Sequence, residues 1–85
     1  MNIYVGNLSY KAESKDLVGL FEGFGKVASA KIIMDRETNR PKGFGFVEME
    51  NQGEAEAAIA QLNQAEFMGR KLVVNHARQK EMRMG

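Results

Sequence analysis

Apolar residues recur along this chain in six stretches, in the order strand, helix, strand, strand, helix, strand. In the first, Ile3 and Val5 alternate with Tyr4, so period 2 sends the aliphatic pair inward and the ring outward, and Gly6-Asn7 ends the strand. Leu17, Leu20, Phe21 and Phe24 then repeat at i, i+3, i+4 and i+7, with Ser14 as the expected N-cap and Asp16 in the first turn. Gly19 inside that helix costs about 1 kcal/mol relative to alanine, and Gly23 and Gly25 are expected to close it. Residues 27–34 are rich in β-branched positions and predict a strand with Ile32 and Met34 inward and Lys31 and Ile33 outward. Asp35 to Pro41 reads as a loop, since Asn39 tolerates positive φ and proline cannot serve a central ladder. A second helix follows, with Asn51 and Glu54 spaced as a capping box and Ala55, Ala58, Ile59 and Leu62 as its apolar stripe. Asn63-Gln64 turns the chain, Phe67 is expected in the core under a short turn at Gly69, and Lys71–Asn75 is the last strand, with Leu72 and Val74 inward.

One stretch breaks the usual division of faces. In Lys42-Gly43-Phe44-Gly45-Phe46-Val47-Glu48-Met49, alternation places Lys42, Phe44, Phe46 and Glu48 on one side and Gly43, Gly45, Val47 and Met49 on the other. Two phenylalanines therefore share a face with the charges, while glycines take half of the face that should pack. A strand serving only a core would reverse this, so the aromatic face is expected to meet something other than the protein's interior.

Two helices cannot cover both faces of a four-stranded sheet. They are expected to share one face, in an α+β, ferredoxin-like βαββαβ sandwich whose antiparallel sheet has the first and octamer strands in the middle. The open face then carries Tyr4, Phe44 and Phe46 at its centre, with Lys31, Lys42 and Asn75 around them.

Composition narrows the chemistry. At 85 residues and 9.5 kDa there is room for a single domain, expected over residues 1–77, with 78–85 as a short basic tail that is flexible when free. There is no cysteine, hence no disulfide, thiolate metal site or thiol nucleophile. No apolar run is long enough for a signal peptide or membrane span, so a cytoplasmic protein without membrane contact is the expectation. The formal charge of +1 conceals a polarity: residues 27–49 and 70–85 hold nine basic residues against four acidic, and the remainder three against seven. The positive share falls on the segments flanking the rings, including Arg36 and Arg40 in the loop and Arg78, Lys80 and Arg83 in the tail.

The octamer resembles that of the RNA recognition motif, K/R-G-F/Y-G/A-F-V-x-F/Y, at seven of eight positions, with Met49 the departure. Ile3-Tyr4-Val5-Gly6-Asn7-Leu8 is similar to the family's hexamer. The spacing, the loop Asp35–Arg40 and the ending Val74-Asn75-His76-Ala77 resemble small single-domain members from bacteria, cyanobacteria among them, and the domain of plant glycine-rich RNA-binding proteins. The resemblance covers residues 1 to about 77. It implies that single-stranded RNA, or single-stranded DNA, is the partner, in a monomer without cofactor or metal. It implies that bases stack on Tyr4 and Phe44, that Phe46 lies against sugars or between nucleotides, and that Lys42 reaches a phosphate. Asn75 as a base reader, Lys31 beside the rings, and Arg36, Arg40, Arg78 and Lys80 as backbone contacts complete the expected interface. RNA processing, RNA stability and RNA chaperone activity are the roles such a module serves. Met49 lies on the packing side, so its departure touches core shape. Asn39 and Gln64 stand where the family commonly has glycine.

Competing readings exist for each feature. The three rings could form an oligomer contact or lie under the tail, but basic groups around them suit a polyanion better than a dry interface. His76, the single histidine, reads first as a polar residue at a strand end, and Met68 as a surface residue in a turn. A protein-binding domain of the same family typically lacks the octamer aromatics kept here. An acylphosphatase-like enzyme on this fold needs an arginine-bearing phosphate cradle where this chain has Tyr4-Val5-Gly6-Asn7. No paired carboxylates, no nucleophile with its base and no metal cluster stand out, so no catalytic residue is nominated.

Overall fold

The computed structural model describes residues 1–77. The expected tail, with Arg78, Lys80 and Arg83, lies outside the described residues. The elements are β1 (Asn2–Gly6), α1 (Ser14–Glu22), β2 (Val27–Met34), β3 (Pro41–Met49), α2 (Gln52–Leu62), β4 (Glu66–Phe67), β5 (Arg70–Lys71) and β6 (Val73–His76). β2, β3, β1 and β6 form one antiparallel sheet in that spatial order, and β4 and β5 form a separate two-stranded hairpin. The central pair is β1 and β3, with Ile3 opposite Val47 and Tyr4 opposite Phe46.

Both helices pack on the inward sets. α1 contributes Leu17 and Phe21 and α2 contributes Ala55, Ala58 and Leu62, closing over Ile3, Val5, Val47, Met49, Leu72 and Val74. Phe21 is fully buried, which stabilises the fold by about 2–3 kcal/mol. The alanines of α2 let it lie close to the sheet. Met49, in place of the family's aromatic, is fully buried and fills core volume beneath the helices.

Several local expectations are corrected. α1 is capped by Glu13, not Ser14: the Glu13 N–H donates to the Asp16 carboxylate at 2.8 Å. Gly23 does close α1, as its C-cap, right-handed at φ −64° with its N–H donating to the Phe21 carbonyl; Gly25 lies beyond the cap, where a Cβ would collide with the Glu54 side chain. With that side chain lying across Gly25, the capping box of α2 is only half formed, the Asn51 Oδ1 accepting the Glu54 N–H at 2.9 Å. Phe24 falls past the end of α1 and is half-buried.

Met34 is the largest discrepancy, 46% exposed where alternation placed it inward. Ile32 faces Gly45 but Met34 faces Pro41, so β3 carries two more residues than β2 over this stretch, and Gly43 within it adopts φ +91°. That irregularity resets the alternation on which the inward assignment rested. Pro41 is no loop residue but opens β3, a position where a missing N–H is tolerated. Asn39 does take positive φ, 61°, as its side chain permits.

The last strand is split. Arg70–Lys71 pairs with Glu66–Phe67 around a two-residue turn, Met68-Gly69, in which both residues have positive φ (54° and 83°). Phe67 packs against the core below it. Only Val73–His76 joins the main sheet.

Candidate nucleic-acid interface

The sheet face opposite the helices carries the rings. Tyr4 pairs with Phe46 on one side and Asn75 on the other, and Phe46 pairs with Lys31, so Lys31, Phe46, Tyr4 and Asn75 form one row across all four strands. Four of the residues nominated from sequence thus converge on a line perpendicular to the strands. Phe44 sits beside this row, its centroid 5.9 Å from that of Tyr4 and 6.1 Å from that of Phe46, while Tyr4 and Phe46 are 6.0 Å apart. The Phe46 ring stands edge-on to both others, and Tyr4 and Phe44 are tilted by 33°. Edge-to-face packing fixes all three rings while leaving faces free, and each remains half-buried.

Small residues make room for this cluster. A Cβ on Gly6 would stand 2.8 Å from Tyr4 Cζ, so the phenol occupies the space that any side chain at Gly6 would take. Gly45 answers a different need: a Cβ there would collide with the Lys31 carbonyl, so glycine lets β2 and β3 approach.

Polar groups surround the rings. Lys31 and Lys42 are exposed, and Asn75, also exposed, engages its Oδ1 with the His76 N–H at 2.8 Å, leaving its amide nitrogen as the donor it can offer. Beside Phe46 a hollow of about 400 Å³ is lined by Asn2, Ser29, Lys31, Ile33 and Glu48. Glu48 is the acidic member of this face, with Ser29 Oγ 3.5 Å away. Arg36 and Arg40 lie in the exposed β2–β3 loop, at the Lys42 end of β3 and apart from the row, so the structure does not bring them to the rings. That loop is built by Asp35, whose Oδ1 accepts the Glu37 N–H at 2.8 Å and whose N–H donates to the Arg40 carbonyl at 2.7 Å.

Other polar residues have structural explanations. Asn7, at φ 58°, donates from Nδ2 to the Lys71 carbonyl and accepts from Arg70 Nη2 at 2.8 Å, latching the β4–β5 hairpin to the end of β1. His76 Nε2 stands 3.5 Å from Glu56 Oε1 on α2, away from the ring row. Tyr10, absent from the sequence nominations, is 69% exposed next to β3; it sits in a loop without periodicity, and only its being aromatic after a strand-ending turn signalled it. Among the described residues no group of three or more His, Cys, Asp or Glu is placed to hold a metal, and no helix is long and apolar enough to cross a membrane.

RbpA of Synechocystis sp. is 51% identical over 85 residues, 100% of this chain and 84% of that protein. The crystal structure of RNA binding protein PG1 superposes with a TM-score of 0.88 at 56% identity, covering 91% of this chain and 93% of that one. The SXL-lethal protein in its RNA complex superposes with a TM-score of 0.85 at 27% identity, over 91% of this chain and 46% of that one. Residues 3–73 match the family described as the RNA recognition motif. With its octamer and hexamer paired as the two central strands of the sheet, the chain belongs to the RNA recognition motif family.

Proposed function

We propose that this protein binds unpaired RNA across the open face of its sheet, two to four nucleotides at a time. The observation that carries the reading is the cluster of Tyr4, Phe44 and Phe46, centroids 5.9–6.1 Å apart, on the face the helices leave uncovered, with Lys31 directly opposite Phe46. Bases stack on Tyr4 and Phe44, Phe46 lies against sugar, Lys42 takes a phosphate and Asn75 offers a hydrogen bond to a base edge. Stacking contributes about 1–3 kcal/mol per base, giving one domain a modest affinity. Support comes from membership of the family and from the similar SXL-lethal protein, solved with RNA. Single-stranded DNA offers the same π-faces and phosphates and is a second candidate ligand.

The chain acts as a binding module, not a catalyst, as a cytoplasmic monomer. By trapping unpaired segments it serves as an RNA chaperone, and a strand-annealing assay in which it left the rate unchanged would remove that role. The binding mode is tested by NMR titration with randomised short oligonucleotides. Amide shifts are expected along β1 and β3 and at Lys31 and Asn75; shifts confined to α1 and α2 would overturn the reading.

A further inference from the structure

Tyr10 is the most exposed large apolar side chain among the described residues. It follows the turn at Asn7 in the loop from β1 to α1, and that loop is clasped to β3: the Leu8 N–H donates to the Gly43 carbonyl at 2.8 Å, and a Cβ on Gly43 would stand 3.5 Å from Tyr10 Cε1. The ring is therefore held at the octamer, next to the position between Lys42 and Phe44. Two surface hollows meet at it. One, of about 690 Å³, runs past Lys11, Lys31 and Met34; the other, of about 480 Å³, passes Arg40 and Lys42 under the β2–β3 loop.

Charge around Tyr10 favours an anion. Lys11, Lys31, Arg40 and Lys42 line the two hollows against Glu13 and Asp35, and both acids have local partners: the Glu13 carboxylate is 3.9 Å from Lys15 Nζ, and the Asp35 carboxylate accepts the Glu37 N–H. A dry protein contact here would have to desolvate four cations, whereas a nucleotide brings its own phosphates to them.

We infer that Tyr10 is a stacking seat for a further base of the same strand, reached when an RNA longer than the sheet leaves it past Lys42 and Arg40 and turns the corner between β2 and β3. This rests on the RNA-binding reading above and extends it: the sheet holds the first nucleotides, and Tyr10 with Lys11 and Arg40 holds a base and its phosphates beyond.

Tyrosine fluorescence can test this, because the chain has two tyrosines and no tryptophan. In Tyr4→Phe, Tyr10 is the sole tyrosine reporter. Unpaired RNAs of about three and about eight nucleotides serve as probes. The longer probe is expected to quench Tyr10 emission and the shorter to leave it unchanged. Tyr10→Ala should lower affinity for the longer probe by about five- to hundredfold without altering the shorter one, and Tyr10→Phe should retain full affinity. Equal binding of the longer probe by Tyr10→Ala and the parent overturns the inference. So does a concentration-dependent dimer in sedimentation that Tyr10→Ala abolishes, which would assign the ring to a second copy of the chain. If the shorter probe binds and Tyr10→Ala is silent, the inference alone fails; if the parent binds neither probe, the RNA reading fails with it.

Discussion

The phenol of Tyr4 covers Gly6, two residues further along the same strand, at a separation that leaves no room for a Cβ: Cζ would be 2.8 Å from it. Gly6 has no positive φ, so glycine is needed here for space and not for backbone conformation. Gly6→Ala should therefore tilt the ring off its seat and lower RNA affinity about tenfold while the domain stays folded. In a Tyr4→Ala background the same substitution should cost nothing further. A double-mutant cycle by fluorescence anisotropy with labelled RNA checks this, and additive losses would show that Gly6 acts by another route.

Phe44 and Phe21 are the same residue type with opposite duties. Phe21 projects from α1 into the core, fully buried, and Phe21→Ala should cost about 3–5 kcal/mol, enough to unfold much of a domain this small. Phe44→Ala and Phe46→Ala should leave the thermal midpoint within a few degrees of the parent and weaken RNA binding by about 1–3 kcal/mol each. Thermal melts paired with binding isotherms separate the two effects. Full-strength binding by both sheet variants would refute the stacking mode.

Binding should weaken with salt, with a log–log slope of about −0.7 per phosphate neutralised on a single strand. Lys42→Met removes one such contact at the exposed end of β3, so its slope should be shallower by about 0.7. Isotherms between about 50 and 200 mM salt measure it. An unchanged slope would mean that Lys42 faces no phosphate.

Met68 is held at φ 54° in the two-residue turn with Gly69, a conformation that suits asparagine better than an unbranched apolar side chain. Met68→Asn should raise stability by about 0.5 kcal/mol and leave RNA binding untouched, since the hairpin stands outside the ring face. Chemical denaturation reads the gain.

Much of the fold was legible because its signals are local. Leu17 and Phe21 of the first helical stripe, Ala55, Ala58 and Leu62 of the second, the inward pairs Ile3/Val5 and Leu72/Val74, and the outward Tyr4, Phe44 and Phe46 all lie where periodicity put them, while Phe24 falls beyond the end of its helix. Met34 failed the same logic because an irregularity on the partner strand changed its facing, which alternation along β2 alone does not reveal. The β4–β5 hairpin was missed because its turn, Met68-Gly69, lacks the Asn-Gly wording that usually marks two positive φ values in succession. Arg36 and Arg40 share a charge pattern with the site but stand apart from its row; composition places charge on segments, not on faces.

The amino-acid order by itself determined the order of the two helices and the four strands of the main sheet, the family and the outward set Tyr4, Phe44 and Phe46, because these depend on neighbours within a few positions. Tertiary structure decided the rest. It aligned Lys31, Phe46, Tyr4 and Asn75 into one row, seated Tyr4 on Gly6, turned Met34 outward and clasped Tyr10 to Gly43. Strand register and loop clasping are set by hydrogen bonds between segments tens of residues apart, so no local pattern encodes them, and it is these pairings that turn exposed rings into a shaped surface.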